Sequence, residues 1–105
     1  MTDFLQVSTA TENREAAVEL AQLVVSARLA AGAQIVGPVV SVFWHQGEFG
    51  QEWQLLLKVR ADRYDEVEKH LLEHHPWRNP EVSAVRIVEG AEAYLHWLET
   101  TTAPD

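Results

Sequence analysis

Two long strand-forming stretches separated by a short turn constrain this chain most, because together they predict a β-hairpin. Residues 33–44 are rich in valine and are interrupted by Gly37-Pro38, which indicates a bend or bulge since proline cannot donate to a central ladder. Residues 45–50 contain two glycines and predict the turn. Residues 51–60 alternate in side-chain character, as a strand with one buried face does. Both strands exceed the usual length of about five to six residues, so the hairpin should project beyond a small sheet.

The remaining elements place this hairpin in a β-α-β-β-α-β-α order. Residues 4–9 predict a first strand, and apolar residues at helical spacing predict a first helix over 14–31. A second helix is predicted over 63–74, a fourth strand over 81–88 and a third helix over 91–100. The first six elements are those of a ferredoxin-like split βαβ sandwich, an α+β fold. We expect a single domain over residues 1–100 and a flexible tail over 101–105.

Apolar surface and edge strands remain uncovered when a long hairpin extends from a small sheet. Pairing with another copy of the chain is the simplest way to cover them. The tryptophans are expected to anchor the core and the contacts between subunits, because the indole is large enough to dominate either. These residues are Trp44, Trp53, Trp77 and Trp97.

The composition argues against several classes of function. The 105 residues include 8 basic and 16 acidic side chains, a formal net charge of −8, which argues against binding to nucleic acid or to anionic membranes. Without cysteine, the chain can form neither disulfides nor thiolate metal sites. We find no signal-peptide pattern at the N-terminus and no apolar run near the ~20 residues of a membrane span. A cytoplasmic protein is therefore expected.

Residues 74–81 combine two histidines, a tryptophan, an arginine and a glutamate with two prolines. Each proline restricts its own φ and biases the preceding residue away from the helix. The segment is therefore a stiff connection from a helix to a strand, and loops with such side chains are where binding sites are expected. The alternative is that it only ends one element and begins the next.

Three histidines at this helix end are candidate metal ligands. His70 and His74 are four residues apart and share a helix face, a spacing that can place two imidazoles on one Cu(II) or Zn(II) ion. The alternative is a solvated helix face, or a histidine that caps the last carbonyls. His75 follows His74 directly, and it can instead order the proline loop through a backbone hydrogen bond.

Four motifs, in this order along the chain, resemble those of the CutA family of divalent-ion tolerance proteins. Ala-Arg-Leu-Ala-Ala at 27–31 is similar to the family's E-x-L-A-A-C run. Ser-Val-Phe at 41–43 and Gly-Glu at 47–48 are similar to its hairpin motif S-x-Y-x-W-x-G. His75-Pro76-Trp77-x-x-Pro80-Glu81 resembles H-P-Y-x-x-P-E, and residues 90–98 resemble the terminal helix. The resemblance covers about residues 4–99.

This resemblance implies a ferredoxin-like trimer, similar to the nitrogen-regulatory PII proteins, in which long hairpins join sheets between subunits. It also implies tolerance of copper and other divalent metals, with no reaction attached to the family. We therefore expect a homotrimer without catalytic activity that binds a divalent cation, copper(II) by preference, and needs none to fold. The metal ligands would be His74 and His75, with His70 as a helper.

The chain departs from the family pattern at several positions. Ser8 and Gly32 stand where relatives can have cysteine, so a copper site that depends on thiolate is lost. His45 stands at the hairpin tryptophan and Trp77 at the loop tyrosine. A metal site in this chain would therefore depend on imidazoles.

The resemblance also suggests a cleft between subunits that is surrounded by Lys58, Trp77 and Glu81, with His45 reaching across from a hairpin. An ammonium, a carboxylate and an indole face would suit a small anionic or zwitterionic ligand. Alternatively, Lys58 and Glu81 form a partly buried pair that satisfies itself, and His45 is a turn residue. The competing function is a PII-like small-molecule sensor or signalling scaffold that uses this cleft. An enzyme would need His45 or His75 paired with Glu81.

Overall fold

A computed structural model describes residues 3–43 and 49–104, which form a four-stranded antiparallel sheet and three α-helices. The strands are β1 (Phe4–Thr11), β2 (Gly32–Val42), β3 (Phe49–Arg60) and β4 (Ser83–Ile87). The helices are α1 (Arg14–Ser26), α2 (Tyr64–His74) and α3 (Glu92–Thr101), and a 3₁₀ turn at Ala61–Arg63 precedes α2. The strand order β2-β3-β1-β4 confirms the ferredoxin-like split βαβ sandwich.

The long hairpin is present, with the bulge that Gly37-Pro38 predicted. Strand β2 pairs with β3 along its length, and the register shifts between Val36 and Val39. A β-carbon on Gly37 would lie 2.7 Å from Cε3 of Trp53, so the absence of a side chain lets the backbone approach this ring. Of the turn predicted over residues 45–50, Phe49 and Gly50 belong to β3, and the rest, with His45, lies outside the described residues, as does Trp44.

The core lies between one face of the sheet and the inner faces of α1 and α2. Most of its members come from β1, α1, β3 and α2, at the strand and helix spacings that predicted them, and Leu29 and Ala30 join them from the turn after α1. Burying each such side chain contributes about 1.5–3 kcal/mol. The members with no exposed surface are Val7, Val24, Leu55, Leu57, Val59, Val67 and Leu71.

Helix α1 begins near its predicted start but ends at Ser26, before the predicted end at Ala31. The side chain of Asn13 caps the helix by accepting a hydrogen bond from a backbone N–H in the first turn. At the other end, Arg28 has a φ of 61°, the left-handed conformation that ends many helices. This turn places Leu29 in the core, so burial of Leu29 outweighs the helix propensity of the residues that follow Ser26.

The chain is ordered beyond the boundary that was expected at residue 100. Helix α3 continues through Thr101, and Thr102 is fully buried. The hydroxyl of Thr102 donates to the carbonyl of Leu98 at 2.8 Å, and the Thr102 carbonyl accepts from Nη1 of Arg63 at 3.0 Å. These contacts join the end of α3 to the start of α2, so Thr101 and Thr102 are not part of a frayed tail.

The opposite face of the sheet is less covered within one chain. Gln6 of β1 pairs with Lys58 of β3 and with Val85 of β4, which is 62% exposed. Trp53 is half-buried at the bulge and Trp97 on α3 is 47% exposed, so neither lies in the interior. In the part of the chain that the structure describes, no helix is long and apolar enough to cross a membrane.

Candidate functional site

The candidate site lies at the C-terminal end of α2 and in the loop that follows it. The helix ends at His74 because His75 is extended, with a φ of −71° and a ψ of 137°, and Pro76 cannot continue a helix. The backbone N–H of His75 still donates to the carbonyl of Leu71 at 2.8 Å and completes the last turn. The loop therefore leaves the helix in one direction, towards the start of β4.

Both ring nitrogens of His75 are hydrogen-bonded within the chain. The backbone N–H of Trp77 donates to Nδ1 at 3.0 Å, so Nδ1 is unprotonated and the proton resides on Nε2. Nε2 lies 2.9 Å from the carbonyl oxygen of Ala10, to which it donates, and 3.1 Å from the hydroxyl of Thr9. Burial lowers the pKa of His75, and the bond to Ala10 opposes this shift. His75 thus links β1 to the proline loop as a neutral imidazole.

His70 and His74 form a second, differently arranged group on α2. Their ring centroids are 4.3 Å apart, as the spacing of four residues predicts. Nδ1 of His74 donates to the carbonyl of His70 at 2.8 Å, which leaves Nε2 as the ring nitrogen with a lone pair. Nδ1 of His70 is buried and has no hydrogen-bond partner within residues 3–43 and 49–104. Burial, then the proximity of His74, lowers the pKa of His70, and Glu73 opposes the shift.

These nitrogens can serve as ligands for a borderline metal ion, because imidazole suits copper and zinc. The buried, unpartnered Nδ1 of His70 is compatible with such a role, since buried polar atoms are rarely left unpaired. Glu19 of α1 lines the same small cavity as His74, with a volume of about 160 Å³. Within residues 3–43 and 49–104, however, no three histidine, aspartate or glutamate side chains are grouped closely enough to hold a metal ion.

The far side of the proline loop forms a larger cleft of about 790 Å³. Trp77 and Glu81, two of the residues predicted to surround a ligand, both line it. The indole of Trp77 is half-buried and lies beside the His75 ring, with 5.4 Å between the ring centroids. The other lining residues are Ala10, Phe43, Glu52, Asn79, Pro80 and Val82.

The other two predicted ligand residues are not brought to this cleft within the described chain. Lys58 is a half-buried residue of β3 whose register partners are Gln6 and Gly32, and it does not line the cleft. Glu81 accepts a hydrogen bond from the hydroxyl of Ser83 at 2.9 Å instead of facing Lys58 as an ion pair. His45 lies outside the described residues. The roles proposed for Lys58 and His45 between subunits therefore stay predictions.

Sequence reasoning did not identify Glu52 and Asn79 as members of the cleft. Asn79 lies inside the proline-flanked segment, so its position was a usable signal. Glu52 reaches the cleft only through the pairing of β2 with β3 beyond the bulge, where its Oε2 accepts from the hydroxyl of Ser41 at 3.0 Å. Single-sequence patterns do not reveal a register after a bulge, so this carboxylate carried no comparable signal.

Comparison with known proteins relates the whole domain to one family. A family profile described as "CutA1 divalent ion tolerance protein" matches residues 5–101. The chain is 35% identical over 92 residues to "Protein CutA 1, chloroplastic" from Oryza sativa subsp. japonica, covering 86% of this chain and 52% of that protein. It is equally 35% identical over 92 residues to "Divalent-cation tolerance protein CutA" from Thermus thermophilus, covering 86% and 89%. The chain thus spans about half the length of the plant relative.

A solved structure supports the same relationship at the level of the fold. The crystal structure of CutA1 from Oryza sativa superimposes with a TM-score of 0.92 at 32% sequence identity, covering 98% of this chain and 96% of that one. The superposition therefore covers nearly the full length of both chains.

Proposed function

This chain belongs to the CutA1 divalent ion tolerance family, and from that premise we propose that it is a homotrimer that binds a divalent cation, copper(II) by preference, without catalysing a reaction. The observation that carries the metal proposal is the close His70–His74 pair, in which Nδ1 of His70 is buried and has no hydrogen-bond partner among the described residues. Copper(II) accepts imidazole nitrogen readily and completes its coordination with water or carboxylate oxygen.

The three predicted ligands have unequal parts in this proposal. His74 and His70 can offer lone pairs from one helix face. His75 could join them only by giving up at least the bond that its Nδ1 accepts from Trp77. We therefore assign the larger share of the affinity to His74 and His70, and a smaller one to His75.

Calorimetric titration of tag-free protein with Cu(II) tests the metal proposal. The double variant His70→Ala/His74→Ala should bind Cu(II) at least about tenfold more weakly than the wild type, a loss of about 1.4 kcal/mol. His96→Ala, which removes an exposed histidine from α3, is the matched control and should bind as the wild type does. Equal affinity of the double variant and the wild type for Cu(II) would contradict the assignment of His70 and His74 as ligands.

The trimer is proposed because the fold leaves two sheet edges and apolar surface open. Strands β2 and β4 are the edges of the sheet, and valines on or next to both are well exposed, including Val42 at 73% and Val88 at 82%. Open edges of this kind favour pairing with another chain. Light scattering after size exclusion should give about three times the chain mass of 11.9 kDa. A mass of one chain at micromolar concentration would contradict the proposal.

We also propose that the metal is not needed for folding and that the protein is cytoplasmic. The core is built from aliphatic side chains and does not include the histidine pair, so a chelator should leave the circular dichroism spectrum and the melting temperature unchanged. A large fall in the melting temperature in EDTA would show that folding depends on the metal.

The plant relative is named as chloroplastic, so the cytoplasmic location of this protein is tested by fractionation of the producing cell.

A second candidate function is that of a small-molecule sensor or signalling scaffold that uses the cleft beside the proline loop. The observation that favours it is the presence of Trp77 and Glu81 in one cleft of about 790 Å³, which lies in the usual range for ligand sites. A ligand that binds there should raise the melting temperature by mass action in a thermal-shift screen of metabolites. No response across cationic, neutral and anionic compounds would exclude this function.

A further inference from the structure

Within one chain, the cleft beside the proline loop is lined by carboxylates and by no cation among the described residues. No lysine, arginine or histidine of residues 3–43 and 49–104 lines it, and Lys58 of the same chain lies elsewhere on β3. The carboxylates that these residues contribute are those of Glu52 and Glu81. A lining of this charge favours a cationic ligand over an anionic one.

Both carboxylates are oriented by neighbouring serine hydroxyls. Ser41 donates to Oε2 of Glu52 at 3.0 Å, and Ser83 donates to Oε2 of Glu81 at 2.9 Å. Each bond holds one oxygen of the carboxylate, and we expect a ligand to meet the other. A carboxylate that is already oriented loses less side-chain entropy when it binds a charged partner.

Two aromatic residues, Trp77 and Phe43, also line the cleft. Trp77 is positioned by its backbone bond to His75 and by the prolines that flank the loop, so its indole does not need to be ordered by a ligand. Phe43, at the end of β2, is 46% exposed. The face of an indole or phenyl ring attracts cations through its quadrupole, and the attraction increases when water is excluded.

We propose that this cleft binds a small organic cation that carries an ammonium or guanidinium group, with Glu52 and Glu81 as its counter-ions and Trp77 as its aromatic wall. The proposal rests on the second candidate function and names its ligand class. A bare metal ion is a poorer occupant, because aromatic walls give it no ligands and no three metal-binding side chains are grouped in the described chain. The net charge of −8 would also raise the local concentration of cations.

The test is a titration of the assembled protein by two-dimensional ¹H–¹⁵N NMR with N-methylguanidinium and tetramethylammonium chlorides. N-methylurea is the neutral analogue of the first probe, and sodium acetate is an anionic probe. Both cations should shift the indole N–H of Trp77 and the side-chain amide of Asn79 in a saturable way. N-methylurea should bind at least about tenfold more weakly than N-methylguanidinium, because it lacks the charge.

Single-charge variants identify the counter-ions. Glu52→Gln and Glu81→Gln should each weaken cation binding about threefold or more, and the double variant about tenfold or more, since each removes one charge and keeps the side-chain shape. Glu89→Gln removes an exposed carboxylate that does not line the cleft, and it should bind as the wild type does. Trp77→Leu should weaken tetramethylammonium binding while the carboxylates remain.

The possible outcomes distinguish a failure of the cation assignment from a failure of the second candidate function. Equal binding of N-methylguanidinium and N-methylurea, or unchanged binding in the double glutamine variant, would overturn the cation assignment. Saturable binding of acetate at Trp77 without the cations would also overturn it, although the cleft would still be a ligand site. Binding of none of the four probes at Trp77 or Asn79 would count against both. Circular dichroism of each variant establishes that it is folded.

Discussion

His75 and the His70–His74 pair lie within six residues of each other, yet their ring nitrogens have different surroundings. His75 is bonded on both sides, to the backbone of Trp77 and to the carbonyl of Ala10. His74 uses only Nδ1, and Nδ1 of His70 is buried without a partner. His75 is therefore part of the structure of the loop, whereas His70 and His74 keep nitrogen atoms that could bind a metal ion.

Residue type and proximity therefore do not decide which histidine is a ligand. A metal needs a deprotonated nitrogen whose lone pair is free, and a lone pair that accepts a backbone N–H is occupied. His75 matches the family motif most directly, but its hydrogen bonds resemble those of a structural residue. The pair on α2 matches only a spacing rule, but its nitrogens are the available ones. Four measurements test the contrast between His75 and this pair.

The largest expected effect is on stability. His75→Ala should lower the free energy of unfolding by about 2–3 kcal/mol, because the carbonyl of Ala10 and the N–H of Trp77 lose their partner and the loop loses its link to β1. Denaturant unfolding at equal chain concentration measures this loss. His74→Ala is the control, and as an exposed residue it should cost no more than about 0.5 kcal/mol. Equal losses of unfolding free energy in the two variants would contradict a structural role for His75 that His74 does not share.

The next effect is on copper affinity, for which His74→Ala should cause a larger loss than His75→Ala. His74→Ala should weaken Cu(II) binding about tenfold, which corresponds to about 1.4 kcal/mol, because it removes an available imidazole. His75→Ala should weaken it less than about threefold, which corresponds to about 0.65 kcal/mol. Calorimetry on both tag-free variants provides the comparison. A larger loss in His75→Ala would show that His75 leaves the loop to bind the metal.

A smaller effect on stability is expected when the pH is lowered. The pKa values of His75 and His70 are lowered by burial, so the unfolded chain takes up more protons as the pH falls. Their contribution to stability should be complete above about pH 6.5, the value for an unperturbed histidine, and should be lost as the pH falls through the lower folded-state values.

Unfolding titrations between about pH 8 and pH 5 check this dependence across the range in which an unperturbed histidine titrates. His75→Gln and His70→Gln should each flatten the decline in stability on the acid side. If only His75→Gln did so, the unpartnered nitrogen of His70 would be solvated, and the metal proposal would lose its main support.

The smallest effect concerns the second contact of His75. Thr9→Val keeps the shape of a buried side chain and removes the hydroxyl that lies 3.1 Å from Nε2. The carbonyl of Ala10 remains as an acceptor, so the loss should be about 0.5–1 kcal/mol. Denaturant unfolding measures it, and a loss as large as that of His75→Ala would show that Thr9 is the main partner.

Much of the fold could be predicted from the sequence because its signals are local. Alternation in residues 51–60 predicted the buried face of β3, and helical spacing predicted the buried faces of α1 and α2. Gly37-Pro38 predicted the bulge. The end of α1 was missed because burial of Leu29 depends on contacts with the rest of the core. The ordering of Thr102 was missed because its partner Arg63 is 39 positions away.

The candidate site was predicted in location but not in the roles of its residues. The proline-flanked segment marked the loop, and Trp77 and Glu81 do share a cleft there. Within one chain, strand register pairs Lys58 with Gln6, and its predicted place in a cleft between subunits stays a prediction. Glu52 had no signal of its own, because it reaches the cleft through the pairing of two strands.

Four features follow from residue type and spacing along short stretches of the sequence: the order of the elements, the faces that they bury, the stiff loop after α2 and the absence of thiolate ligands. The imidazole nitrogens that remain available and the charges that line the cleft depend instead on tertiary packing. His75 is occupied because Ala10, 65 positions earlier, presents its carbonyl from β1. A hydrogen bond between residues so distant in sequence exists only after the sheet and helix have packed, and no local pattern encodes it.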